Sequence, residues 1–152
     1  MKLAEALILR ADCKKRFEQL KARVVRNAKV QEGDSPAEEP QALLAEAERV
    51  ARELADLVKR INRTNSATEF GEGLSLSDAL AERDALGLRH RLYGELAGAA
   101  SISQDRYSRS EVKYVSAVSV ADAQQRADDL AREFRALDAR IQELNWKAEL
   151  SE

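Results

Sequence analysis

The chain is short of the residues that interrupt helices and of those that carry most chemistry. Its 152 residues include two prolines, Pro36 and Pro40, and six glycines. So few breakers leave room for long, continuous helices. Cys13 is the single cysteine, which excludes an intrachain disulfide and suits a reducing compartment. There is one histidine, His90 in "LRHRLY". A di-iron site in a helical bundle needs a Glu-x-x-His on each of two helices. His90 has glycine three residues before it. Aromatic residues make up 5% of the chain, so Leu, Val, Ile and Ala must fill the core. No stretch approaches the roughly 18 apolar residues of a membrane span. The opening "MKLAEALILRAD" contains Glu5 and Arg10 and no small-residue cleavage site. It is expected to begin a helix rather than act as a leader, and the expected location is the cytoplasm.

Sites of known type are equally scarce. No P-loop or dinucleotide fingerprint occurs, and "GEG" at 71–73 is too short to count as one. No Ser/His/Asp or Cys/His arrangement is recoverable. Cys13 falls on an apolar helix face, where an inert core thiol is the ordinary outcome. The expectation is a protein with no enzymatic activity, no cofactor and no metal. The 25 basic and 27 acidic residues are interspersed and leave a net charge of −2. Pairs such as Glu48/Arg52 and Asp56/Arg60 stand four apart, as on solvated helix faces. A general nucleic-acid binder would show a basic stripe instead.

What the chain does have is helical periodicity. Ala6, Leu9, Cys13, Phe17, Leu20 and Val24 predict a first helix over about 2–28. "QEGDSPAEEP" breaks it, and Pro40 suits the first turn of the next helix. Leu43, Ala47, Val50, Leu54, Leu57 and Ile61 form a heptad seam over about 40–63. Leu44, Ala51 and Val58 widen that seam beyond a two-stranded coiled coil. A third helix is expected over about 76–99, opened by a "SLSD" capping box at Ser75 and Asp78. Its predicted apolar face is Ala81, Ala85, Leu88, Leu92, Leu96 and Ala99. Gly87, Gly94 and Gly98 mark either loose local structure or a close helix–helix approach. A fourth helix over about 120–150 follows "SVAD" and carries Ala123, Ala127, Leu130, Phe134, Leu137, Ile141, Leu144 and Ala148.

Two stretches stand apart. "RINRTNSATEFGEG" (60–73) is crowded with hydrogen-bonding side chains. Asn65 is a plausible C′ residue for the second helix, because Asn tolerates the left-handed conformation. "ATEF" and "LSL" then flank Gly71-Glu72-Gly73 as a hairpin with a three-residue loop. In "SEVKYVSAVSV" (110–120), Val112, Tyr114, Val118 and Val120 share one phase of a half-buried strand. A third strand would support a marginal hairpin, so 110–120 is expected to pair with 66–76. Together these give a mainly α fold of one domain, 1–152. Four long helices form an antiparallel bundle or coiled-coil arrangement, with a two- or three-stranded β element at one end.

The candidate interaction surface follows from that pairing: Asn62, Arg63 and Asn65 facing Arg106, Tyr107, Arg109, Lys113 and Tyr114. Basic residues interleaved with aromatics can clamp phosphates and stack bases. The same residues suit a surface loop whose arginines pair with carboxylates and whose tyrosines cover the sheet. Trp146, with Leu150, lies off the fourth helix's seam and starts a second apolar face. That face meets either another helix of the bundle or a partner subunit.

"RADCKKRFEQLKARVVRNAKVQEGDSPAE", "RINRTNSAT", "ALAERDALGLRHRLY", "QDRYSRSEVKYVSAVSV" and "IQELNWKAEL" resemble a family of small bacterial proteins of unknown function. Some members carry the label septicolysin, after a supposed cytolysin. The resemblance spans nearly the whole chain and brings no catalytic residues with it. The leading expectation is a self-associating helical scaffold or interaction protein. Its partner is a second copy, or else another protein; nucleic acid and membrane are not the expected partners. A nucleic-acid module built on 104–114 is the alternative, and the lytic activity implied by the label is the third reading.

Overall fold

The computed structural model describes residues 1–102 and 112–152. The chain is mainly helical, with α1 at Leu3–Arg26, α2 at Pro40–Ala67, α3 at Leu76–Ala100 and α4 at Val120–Lys147. A two-stranded antiparallel sheet, β1 at Glu69–Gly71 and β2 at Leu74–Ser75, lies between α2 and α3. The residues divide into two compact units. The first comprises Met1–Ser75 and Glu143–Glu152, and the second Leu76–Gln142. Among the described residues no helix is long and apolar enough to cross a membrane.

The first unit is built on an antiparallel helix pair. The α2 seam is buried at Leu43, Ala47, Val50, Leu57 and Ile61. Leu20 joins Leu43, Ala47 and Val50 in one cluster, with Cys13, Phe17 and Val24 packed against it. Burying a Leu or Val side chain contributes about 1.5–3 kcal/mol relative to exposure. Leu9 and Leu44, both expected on apolar faces, are exposed. Arg23 forms a two-pronged ion pair with Glu38, and Arg16 pairs with Glu46. The α1 C-terminus is tied to the connecting loop by Asn27, whose Oδ1 accepts from the Glu38 N–H at 3.1 Å. Pro40 opens α2, and the Glu39 carboxylate accepts from the Gln41 N–H at 3.2 Å. An acid at that position also suits the helix dipole.

Three expectations fail locally. First, α2 runs on to Ala67, so Asn65 lies inside the helix and not at its C′ position. The reason is that the heptad seam continues: after Ile61 it reaches Thr64, which is buried. Second, the hairpin loop has two residues rather than three. Gly71 pairs with Leu74, and Glu72 and Gly73 turn with φ of 55° and 76°. Two successive positive φ values match the strand twist of a tight hairpin. Third, the sheet has two strands, and residues 112–119 form no strand. Val112, Tyr114 and Val118 are exposed. β-propensity largely reports packing against cross-strand and same-face neighbours, so β-branched composition alone does not make a strand. Residues 110 and 111, at the start of that predicted strand, lie outside the described residues.

In the second unit α3 and α4 are antiparallel. The Ser119 hydroxyl accepts from the Asp122 N–H at 3.1 Å, capping α4 as "SVAD" predicts. The α4 seam is buried at Ala123, Ala127, Leu130 and Ile141. On α3 the expected face is not the buried one. Leu76, Ala79 and Ala97 are buried, and Leu80, Arg83, Leu86, Gly87, His90 and Tyr93 are half-buried on the same side. At about 100° per residue, Leu88 and Leu92 lie opposite that side.

Candidate interaction surfaces

Polar side chains crowd the end of α2 because they receive the chain's last residues. Arg60, Arg63 and Thr64 share one face, three and four apart. The buried Thr64 hydroxyl donates to the Arg60 carbonyl at 2.9 Å. It accepts from the Ser151 N–H at 2.9 Å. The Arg60 Nε donates to the Ser151 carbonyl at 2.9 Å, and an Arg63 guanidinium nitrogen donates to the Glu152 carbonyl at 2.7 Å. The last three of these bonds satisfy backbone groups of Ser151 and Glu152, beyond the end of α4. The candidate residue Arg63 is thus engaged within the first unit. Asn62 is exposed and Asn65 half-buried.

The same tail closes on the start of α1. Lys2 and Glu149 form an isolated antiparallel bridge. The Leu3 N–H donates to the Ala148 carbonyl at 2.9 Å, and the Leu150 N–H to the Met1 carbonyl at 2.8 Å. The Glu149 carboxylate lies 2.5 Å from the Lys2 ammonium and 3.3 Å from the Met1 amine. Its hydrogen bonds, Lys2 first and the amine second, hold its pKa below the ordinary carboxylate value. Leu150 is 8% exposed and so is covered within the fold. Of the two readings of the Trp146/Leu150 face, the burial of Leu150 fits packing within the chain. Trp146 is 56% exposed and remains on a surface.

Of the second predicted cluster, Arg106, Tyr107 and Arg109 lie outside the described residues. Lys113 and Tyr114 are exposed. Residues 60, 63 and 64 are engaged by the tail. The pattern held a clue to this: a threonine on the seam of a long helix needs a buried polar partner.

Between α1 and α2 lies an open groove of about 410 Å³, lined by Asp12, Lys15, Arg16, Gln19, Leu20, Arg23 and Glu46. Its two arginines are already committed. The Arg16 hydrogen bond lowers the Glu46 pKa, and the Arg23 hydrogen bond lowers that of Glu38. Both arginines are correspondingly raised. Among the described residues no group of three or more His, Cys, Asp or Glu is placed to hold a metal ion. Cys13 packs against the α1–α2 cluster.

In the second unit polar contacts set the α3–α4 phase. An Arg83 guanidinium nitrogen lies 2.8 Å from Asp138 Oδ1. His90 Nδ1 lies 2.9 Å from the Ala127 carbonyl. A carbonyl only accepts, so Nδ1 carries the proton. A Cβ on Gly87 would meet the Phe134 ring at 3.4 Å. Of the two readings of the α3 glycines, close approach holds at Gly87. Gly94 and Gly98 face open space.

The outcome is an uncovered apolar stripe on the far side of α3. Leu88 is 61% exposed, Leu92 62% and Leu96 36%. Ala81, Ala85 and Ala99 extend it at both ends and are also exposed. These six are the residues whose spacing predicted the core face. Their periodicity is real, but the helix turns them outward.

A model of a family of unknown function, DUF6847, matches residues 10–150. A crystal structure of a functionally unknown conserved protein from Corynebacterium diphtheriae is similar at 50% identity. That match covers 99% of each chain with a TM-score of 0.94. No curated protein matches. Neither description names an activity.

Proposed function

The chain belongs to the DUF6847 family of unknown function, and we propose that it works by association, as a non-catalytic helical scaffold that pairs with copies of itself. One observation carries this reading: the exposed Leu88–Leu92–Leu96 stripe, at helical spacing and opposite the buried face of α3. Contiguous exposed apolar patches on soluble proteins commonly mark interaction surfaces. A helix face that repeats Leu every four residues is suited to another helix, and closed pairs of identical chains are the commonest assembly.

Light scattering at tens of micromolar tests the proposal. The expected mass exceeds that of one 16.9 kDa chain, and Leu92→Glu restores the single-chain mass. A strictly monomeric wild type contradicts it. Trp146→Ala is expected to leave the assembly unchanged. If Trp146→Ala alone dissolves it, the contact runs through that second apolar surface instead.

A further inference from the structure

The charges beside the α3 stripe indicate how two copies would meet, an inference that rests on the self-association proposed above. Viewed down the helix, Asp84 and Arg91 flank the stripe on one side, seven residues apart, and Glu82 and Arg89 flank it on the other, also seven apart. Within each of these pairs the acid precedes the base, while Glu95, beside Leu92, falls opposite the partner's Asp78 at each end of the seam in the register described below. In a two-fold pair of antiparallel helices, each flank lies beside the same flank of the other copy, with the chain direction reversed. Acid then faces base twice on each side.

The apolar residues fit the same arrangement. If Asp84 approaches the partner's Arg91, Leu88 lies over the partner's Ala85 and Leu92 over the partner's Ala81. Large against small is how facing helices interdigitate. A parallel pair would instead set each residue against its own copy, Leu on Leu and Ala on Ala. We infer that the chain dimerises isologously through α3, antiparallel and in this register, with Asp84–Arg91 and Glu82–Arg89 pairs bordering an alternating Leu/Ala seam.

Charge exchange tests the register separately from the association. Asp84→Arg alone sets like charges against each other at two symmetric places, as does Arg91→Asp alone. Exposed pairs are individually weak, so each single reversal is expected to raise the dimer dissociation constant about tenfold. The double exchange, Asp84→Arg with Arg91→Asp, is expected to return it to within about threefold of wild type. Leu92→Glu is expected to raise it by about a hundredfold or more. Circular-dichroism melts of each variant establish that the monomers fold.

Recovery in the double exchange supports the register. A double exchange no better than the singles, with Leu92→Glu still disruptive, overturns the register and leaves the stripe as the contact. If Leu92→Glu has no effect on the dissociation constant, the stripe itself is excluded and both proposals fall. A monomeric wild type likewise ends both.

Discussion

The two units are antiparallel helix pairs of similar length, joined by different chemistry. In the first, α1 and α2 close over Leu20, Leu43, Ala47 and Val50, with Arg16–Glu46 and Arg23–Glu38 along the edge. In the second, α3 meets α4 through the Arg83–Asp138 pair, the His90–Ala127 bond and the Phe134 ring over Gly87. The first pair buries Leu3, Leu20, Leu43 and Leu57 and leaves Leu9 and Leu44 exposed. The second turns Leu88, Leu92 and Leu96 outward and places a cation, an imidazole and a glycine inside. Leu76, Leu80 and Leu86 pack inward, so the second pair splits its α3 leucines between a covered and an uncovered face. In the function proposed above, the second pair supplies the contact surface and the first supports it.

That contrast can be broken by substitution. Leu20→Ala empties a site that is nearly fully buried and is expected to lower stability by about 2–5 kcal/mol in urea unfolding. Leu92→Ala removes an equal volume from an exposed site. It is expected to change monomer stability by no more than about 0.5 kcal/mol. A loss of the same size at both positions would show that α3 buries its leucines after all. Thr64→Val keeps the shape of a buried side chain while removing the acceptor for the Ser151 N–H. A cost of about 1–3 kcal/mol is expected. It should be accompanied by faster amide exchange at Leu3 and Leu150, because the tail is one piece of structure.

Smaller effects sharpen the comparison. Gly94→Ala removes a poor helix former at an open site and should stabilise by up to about 1 kcal/mol. Gly87→Leu drives its side chain into the Phe134 ring and should destabilise by about 1–3 kcal/mol. Equal melting shifts of one sign would mean that the helices do not approach at Gly87. Acid should act on the first unit. Glu38, Glu46 and Glu149 each have a pKa lowered from the ordinary 4.5. The stability they contribute is fully present above that value and is lost as pH falls through their lower folded values. The unfolding midpoint should therefore decline below about pH 4.5, with α1–α2 amides losing protection. Because Glu149 is exposed and Glu38 and Glu46 are only half-buried, the decline should be modest and weaker in high salt.

Much of the fold was legible because long seams leave little choice of phase. The predicted helices at 2–28, 40–63, 76–99 and 120–150 correspond to Leu3–Arg26, Pro40–Ala67, Leu76–Ala100 and Val120–Lys147. On α2 and α4 one stripe dominates and the structure buries most of it, with Leu44 and Trp146 off it and exposed. On α3 they lie on both sides: Leu76, Leu80 and Leu86 against Leu88, Leu92 and Leu96. Periodicity alone cannot choose between two such faces. The choice rests on Arg83 finding Asp138 and Gly87 admitting Phe134, contacts made between residues about 50 apart in sequence. The α2 end was legible as polar but not as a receptor, since its partners Ser151 and Glu152 stand 87 to 91 residues away. Residues 112–119 form no strand because β-propensity alone does not bring a segment beside a partner strand.

The most direct test of the account is the mass of the wild type and of Leu92→Glu at tens of micromolar, measured by size exclusion with light scattering. The account predicts an assembly of at least two 16.9 kDa chains for the wild type and a folded single chain for the variant. A wild type that elutes as one chain, or a variant that assembles as well as wild type, would contradict it.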